Sequence, residues 1–230
     1  MTHPLTGIED AGLRIAGAFE LDADEAATLP GQPRMLVLLG STAGLFWSHF
    51  ERWQAHSRGE PSDNPLDSFT RALVAPLATA LGAEVVYPSD GPPFWPFQRW
   101  AARAEPVFVS PLKILIHPEL GLWHAYRAAL LFDAPFELPD VNAAADTQSP
   151  CVTCVRQPCL SACPVSAYDA AGYDVDRCAA HVVANNDCAS KGCHARRACP
   201  VGTQHEYDRG QQQFHLRAFL RGRAGAGPRG

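Results

Sequence analysis

Eight cysteines lie between residues 151 and 199, and none stands elsewhere in the 230-residue chain. The first four run Cys151-x2-Cys154-x4-Cys159-x3-Cys163-Pro164. The second four run Cys178-x9-Cys188-x4-Cys193-x5-Cys199-Pro200. Thiols used only for packing are spread through a sequence, whereas thiols this dense hold something. Three chemistries suit them: iron–sulfur clusters held by four thiolates each, structural zinc in sets of four, and disulfides. The opening "MTHPLTGIEDAGL" has no basic segment followed by an apolar one, so no export signal is visible. The expected compartment is the reducing cytoplasm, where structural disulfides are uncommon.

The repeated Cys-Pro ending favours clusters over zinc. Zinc ribbons pair two CxxC knuckles and have no use for that ending. In bacterial ferredoxin modules three closely spaced Cys wrap one cluster, and the Cys before Pro crosses to the other. Applied here, Cys151, Cys154, Cys159 and Cys199 hold one [4Fe–4S] cluster, and Cys163, Cys178, Cys188 and Cys193 hold the second. The eight thiolates are then all used. The x4 gaps, and the x9 and x5 gaps of the second half, exceed the usual x2 and x3, which leaves one degraded cluster open. His181 and His194 lie among the cysteines as further donors or as surface residues.

The rest of the chain must position this module and whatever it serves. "LRIAGAFEL" and "RMLVLLGS" (34–41) read as buried strands. "TAGLFWSHFERWQAH" has helical spacing, with Leu45, Phe46, Phe50 and Trp53 on one face. "SDNPLDSFTRALVAPLATALGA" is a helix capped by Asp63 or Asn64, with Pro65 in its first turn and a stripe of Leu66, Phe69, Leu73, Leu77 and Leu81. Pro76 is expected to kink or split it. "AEVVYP" is a strand, "PFWPFQRWAARA" a helical segment, and "LKILIHP" and "HAYRAALLF" two strands expected to be antiparallel neighbours. The expected architecture is an α/β layered domain with a mixed sheet over residues 1–145. A small α+β ferredoxin-like two-cluster module follows over 146–208, then an Arg/Gly-rich, frayed C-terminal tail over 209–230.

Composition narrows the function. Hydrophobic residues at 47% and charged residues at 19% suit an ordinary globular protein. A formal charge of -5 argues against nucleic acid as a partner. No uncharged apolar stretch reaches membrane-spanning length, so no membrane partner is expected.

"ILIHPELGLWHAYRAALLFDAPFELP", followed by the double Cys-Pro module, resembles the middle of epoxyqueuosine reductases, cobalamin-dependent iron–sulfur enzymes that remove an epoxide oxygen from a modified tRNA base. "IHPELGLWHAYRAALL", "MLVLLGSTAGLFWSHF" and "DNPLDSF" also resemble the CblC proteins. Those bind corrinoids on a nitroreductase-like layer and strip the upper ligand reductively, without clusters. The similarity spans roughly residues 34 to 205.

The resemblance implies Asp90, in "SDGPP", as a general acid, against the plain reading of a turn residue. It implies His117, Pro118, Gly121 and Trp123 as the loop that lies against the corrin, the imidazole as a cobalt ligand and the indole as a cover. The plain alternative there is a strand-end turn with a packed Trp. Two [4Fe–4S] clusters would pass electrons from an external donor of flavodoxin or ferredoxin reductase type to cobalamin, or to FMN as the alternative cofactor. The reductases' arginine-rich stretch has no counterpart in "QAHSRGEPSDNP", and their C-terminal helical repeats are missing. A small molecule or a corrinoid is therefore the expected substrate and tRNA an unlikely one. An electron carrier without catalysis of its own is the rival from a different class.

Overall fold

The computed structural model describes residues 5, 7–56, 62–136, 138, 148–169 and 171–224. Most of the expected connector (133–150) and the last six residues of the expected tail lie outside them. In chain order the elements are β1 (Arg14–Glu20), α1 (Ala23–Ala27), β2 (Met35–Ser41), α2 (Leu45–His56), α3 (Pro65–Leu81), β3 (Glu84–Val86), α4 (Phe97–Ala104), β4 (Phe108–Val109), β5 (Leu115–Ile116) and β6 (Ala125–Phe132). Then follow α5 (Pro150–Thr153), α6 (Pro158–Ser161), α7 (Val175–Ala184), α8 (Asn186–Lys191), α9 (His194–Arg197) and α10 (Arg209–Ala224). They form two compact units, Met1–Pro106 with His124–Thr147, and Val107–Trp123 with Gln148–Gly230.

The first unit is built on a four-stranded sheet in the order β1-β2-β6-β3. All seven residues of β2 are buried. Successive side chains of a strand point to opposite faces, so both faces of the sheet are covered. Leu36, Val37, Leu38 and Leu39 are 0% exposed, each contributing about 1.5–3 kcal/mol relative to exposure. Helix α4 packs on β1 and β2, α3 on β3 and β6, and α2 on α3. The α/β layering is as expected, but the mixed sheet is not. Every ladder of this sheet is antiparallel.

Two helices differ from their sequence patterns. In α2, Phe46, Trp47 and Phe50 are buried while Leu45 is 48% exposed. In α3 the buried face is Leu66, Phe69, Thr70, Val74 and Ala78. The leucines at 73, 77 and 81 flank it, because Val74 and Ala78 are small enough to bring the backbone close to the sheet. Pro76 does not split α3, which runs unbroken to Leu81. Asn64 occupies the N-cap position without a side-chain cap bond.

At the sheet's edge Arg14 donates through two nitrogens to Glu105, at 2.6 Å each, and Tyr126 Oη donates to Glu105 Oε1 at 2.6 Å. Glu105 is 4% exposed, and this fork satisfies a buried carboxylate.

In the second unit β5 pairs with β4, and β6 pairs with β2 and β3 in the first unit. The expected pairing of "LKILIHP" with "HAYRAALLF" is therefore replaced by a short hairpin closed at Ser110 and Ile114. Residues 107–123 group with the cysteine-bearing segment instead of with 1–106, which shifts the expected boundary at 145. The reason is apolar. Leu112, Ile116 and Leu122 form one buried cluster with Cys159, Ala195 and Cys199, and the cysteine segment has few large aliphatics of its own. Residues 209–224, expected to fray, are the helix α10, which packs on α8. Among the described residues no helix is long and apolar enough to cross a membrane.

Candidate metal centre

All eight cysteines are free thiols. Short helices start or end beside most of them, and α6 packs on α9, bringing the two halves of the repeat together. Cys159 lies in α6 one residue after Pro158, and Cys193 is the N-cap residue of α9. Each of these two helices is followed by its Cys-Pro pair, Cys163-Pro164 and Cys199-Pro200.

The thiols fall into two sets. Burial raises Cys159, and the neighbouring Cys199, Cys151 and Cys154 add to the rise. Burial raises Cys199 as well, with Cys151 and Cys154 as its thiol neighbours. In the second half, burial raises Cys178 with Cys163 beside it. Burial raises Cys188, with Cys193 and Cys178 beside it, and Cys193, with Cys178 beside it. The neighbourhoods are thus 151, 154, 159 and 199, and 163, 178, 188 and 193. Among the described residues no three His, Cys, Asp or Glu side chains form a group that could hold a single metal ion.

The sulfurs face main-chain donors. Ala167 N–H donates to Cys163 Sγ at 3.3 Å. N–H groups of Leu160, His194 and Val201 act against the burial rise of Cys159, Cys188 and Cys199, and those of Arg196 and Ala195 do so for Cys193. Donors aimed at sulfur favour the thiolate, the form that binds metal. The donor set fits two thiolate-held clusters.

Two tyrosines flank the second set. Tyr168 and Tyr173 stack with centroids 4.6 Å apart and 10° between planes. Tyr168 has Cys193, Cys178 and Cys163 as neighbours, and a hydrogen bond from Tyr173 lowers Cys178 against the rise from burial. The sequence signal for this pair is the turn "YDAAGY", in which Asp169 and Gly172 exchange backbone hydrogen bonds. Of the two histidines, His194 Nε2 lies 2.8 Å from Asp187 Oδ2, and His181 Nδ1 faces Asn185 Nδ2 at 3.2 Å.

The loop His117–Trp123 belongs to this unit. His117 and Gly121 exchange backbone hydrogen bonds at 2.9 Å. His117 Nδ1 accepts from Glu119 and Leu120 N–H at 3.1 and 3.2 Å. Pro118 is half-buried at the turn. Gly121, at φ +59, crosses the chain after Cys199, where an added Cβ would stand 2.0 Å from Val201 O. Gly202, at φ +70, is its counterpart, its Cβ position 2.3 Å from Leu120 C. Trp123 is 1% exposed, with the Arg196 guanidinium over its ring at 4.4 Å and Tyr207 edge-on at 5.4 Å. Arg196 also donates to Leu122 O. Trp123 is thus packed against protein. Sequence reasoning missed Arg196 and Tyr207, whose distance along the chain gives no local signal.

Asp90 lies in the first unit and the loop in the second. Its Oδ2 accepts from Tyr87 N–H at 2.8 Å, and its Oδ1 accepts from Arg71, which also donates to Ser89 Oγ at 3.2 Å. The bonds at Gly91–Pro92 and Pro92–Pro93 are cis. The carboxylate closes a turn on its own backbone and is held by a guanidinium.

The chain matches no family model and no curated protein sequence. Solved structures define its class by fold, an α/β layer shared with cobalamin-trafficking and epoxyqueuosine-reducing proteins. The B12-trafficking protein CblC of C. elegans, a human MMACHC homologue, is similar at TM-score 0.52 and 16% identity over 92% of this chain and 90% of its own. An epoxyqueuosine reductase solved with an epoxyqueuosine-modified tRNA-Tyr stem loop is similar at TM-score 0.50 and 15% identity, over 87% of this chain. The match spans 65% of that enzyme's length. At these identities the likeness is one of fold. It gives no support to the expectation that tRNA is an unlikely partner.

Proposed function

We propose that this chain is an iron–sulfur redox protein, a cobalamin-dependent reductase or a corrinoid-processing protein. The observation that supports the reading is that all eight thiols are free, with Cys199, the Cys-Pro cysteine of the second half, beside Cys159, and Cys163, that of the first half, beside Cys178. When bound, two [4Fe–4S] clusters supply one-electron transfer at potentials tuned by hydrogen bonds to their sulfurs and by solvent exclusion.

The chain's own residues do the rest. Cys151, Cys154, Cys159 and Cys199 grip one cluster, and Cys163, Cys178, Cys188 and Cys193 the other. Main-chain N–H groups and Tyr173 lie against the sulfurs, and Leu112, Ile116 and Leu122 keep water from the first set. Asp90, clamped by Arg71 and the Tyr87 N–H, is proposed as the proton donor. His117 is proposed to face the cofactor, with Pro118 and Gly121 shaping its turn. The electron donor is an external protein of flavodoxin or ferredoxin reductase type, and the substrate a corrinoid or small molecule. FMN is the alternative cofactor.

A second reading, an epoxyqueuosine reductase-like enzyme acting on tRNA, is supported by the tRNA-bound relative of the same fold. The test is to titrate anaerobically reconstituted protein with cobalamin and follow the corrin absorbance. A saturable shift at micromolar concentration is expected. Its absence leaves an electron carrier. Turnover of an epoxyqueuosine-bearing stem loop by the same preparation selects the second reading.

A further inference from the structure

A phenol stands against the second set of thiols where packing alone asks only for a ring. Between the two halves of the cysteine repeat the chain forms a short hairpin. Tyr168 and Tyr173 pair across it as an antiparallel bridge, and Asp174 N–H donates to Ala167 O at 2.8 Å. Asp169 Oδ1 closes the turn by accepting from Ala171 and Gly172 N–H at 2.8 and 3.0 Å. The hairpin runs directly into α7. Asp174 is the N-cap of that helix, its carboxylate accepting from Arg177 N–H at 2.9 Å. Tyr173 therefore holds the position before the cap and Cys178 the fourth helical position, the two places whose side chains meet in a hydrophobic staple.

Here the staple has a polar tip. Tyr173 is hydrogen-bonded to Cys178, and the ring of Tyr168 stacks on that of Tyr173 at 4.6 Å. Tyr168, with Cys163 and Cys193, packs against the apolar cluster of Leu112, Ile116 and Leu122. The same hairpin supplies Ala167 N–H to Cys163 Sγ at 3.3 Å. A thiolate has no proton to give, so the phenol donates. Reduction of a thiolate-held cluster adds one negative charge, shared in part by its sulfurs. A donor aimed at one of them binds the reduced form more tightly and raises the reduction potential.

We propose that Tyr173, through its hydroxyl on Cys178, raises the reduction potential of the cluster held by Cys163, Cys178, Cys188 and Cys193. The inference rests on the iron–sulfur reading and goes beyond it in naming a residue that tunes one cluster and not the other.

The test is an anaerobic redox titration of the reconstituted full chain, reduced stepwise with dithionite in the presence of mediators and read by EPR. The native chain is compared with Tyr173→Phe and Tyr168→Phe, and Cys163→Ser identifies the step that belongs to the second set. Tyr173→Phe keeps the staple and the ring stack and removes only the hydroxyl, so its iron and sulfide content is expected to be unchanged. Its second-set step is expected to move to lower potential, by up to about tenfold in the equilibrium constant, or about 59 mV for one electron. The first-set step is expected to stay in place. Tyr168→Phe, which leaves the Tyr173 hydroxyl on Cys178, is expected to move the second-set step less. In loaded protein, an unmoved second-set step in Tyr173→Phe, or an equal shift in Tyr168→Phe, would overturn the inference alone. Loss of the second cluster in Tyr173→Phe would assign the hydroxyl a structural role and overturn it as well. Native protein that takes up no iron and sulfide would overturn the cluster reading, and the inference with it.

Discussion

A methyl group at Gly121 has nowhere to go. The backbone is left-handed there, and Val201 O stands 2.0 Å from the position a Cβ would take. Gly121→Ala should therefore destabilise the second unit by about 3 kcal/mol or more, combining left-handed strain with overpacking. Thermal unfolding and the metal content of the purified variant check this, and an unchanged melting temperature would contradict it. The sequence singles out Gly121 for a different reason, as part of a loop lying against a cofactor. The eight cysteines stand out in the sequence because ligand chemistry restricts thiol spacing. Trp123 does not, since its partners Arg196 and Tyr207 are 73 and 84 positions away (196 − 123 and 207 − 123). Asp90 is legible as a turn residue from "PSDGPP", but the Arg71 that holds it comes from another element.

Elements with a strong apolar period are found where the sequence places them, and their errors have particular causes. Strands β1 and β2 match closely, β1 starting just after Gly12 and β2 just after Pro33. Leu115–Ile116 is a strand as expected but pairs with Phe108–Val109, since which strand is adjacent is decided by packing and not by pattern. The Arg-rich segment after 209 looks like a tail by composition, yet α10 packs on α8. Helix α3 supplies a test at this scale. Pro76 is exposed, so its ring costs the helix a hydrogen bond and a clash with the backbone four residues back without contributing buried surface. Pro76→Ala should raise stability by about 1–3 kcal/mol. Denaturant unfolding measures it, and a loss of stability would show that the proline shapes the packing of α3 on β3 and β6.

For the molecule as a whole, buried tyrosines are expected to weaken the fold at alkaline pH. Burial, and then Glu105, raise Tyr126 far above the ordinary phenol value of 10.0. Burial also raises Tyr87, Tyr168 and Tyr173. The unfolded chain ionises its phenols first, so this contribution is whole below pH 10 and is lost as pH climbs through the raised folded values. Stability should fall above pH 10, and Tyr126→Phe should flatten the fall. Equal slopes for the two proteins would contradict the assignment. The two-unit division was legible only in outline, because residues 107–123 supply the apolar floor for a segment poor in aliphatics. What those thiols hold is decided most directly by quantifying iron, acid-labile sulfide and zinc in protein purified without oxygen, alongside Cys163→Ser. Iron and sulfide in equal amounts are expected, falling by about half in the variant while the set completed by Cys199 stays loaded. Colourless protein carrying zinc and no sulfide would contradict the iron–sulfur reading outright.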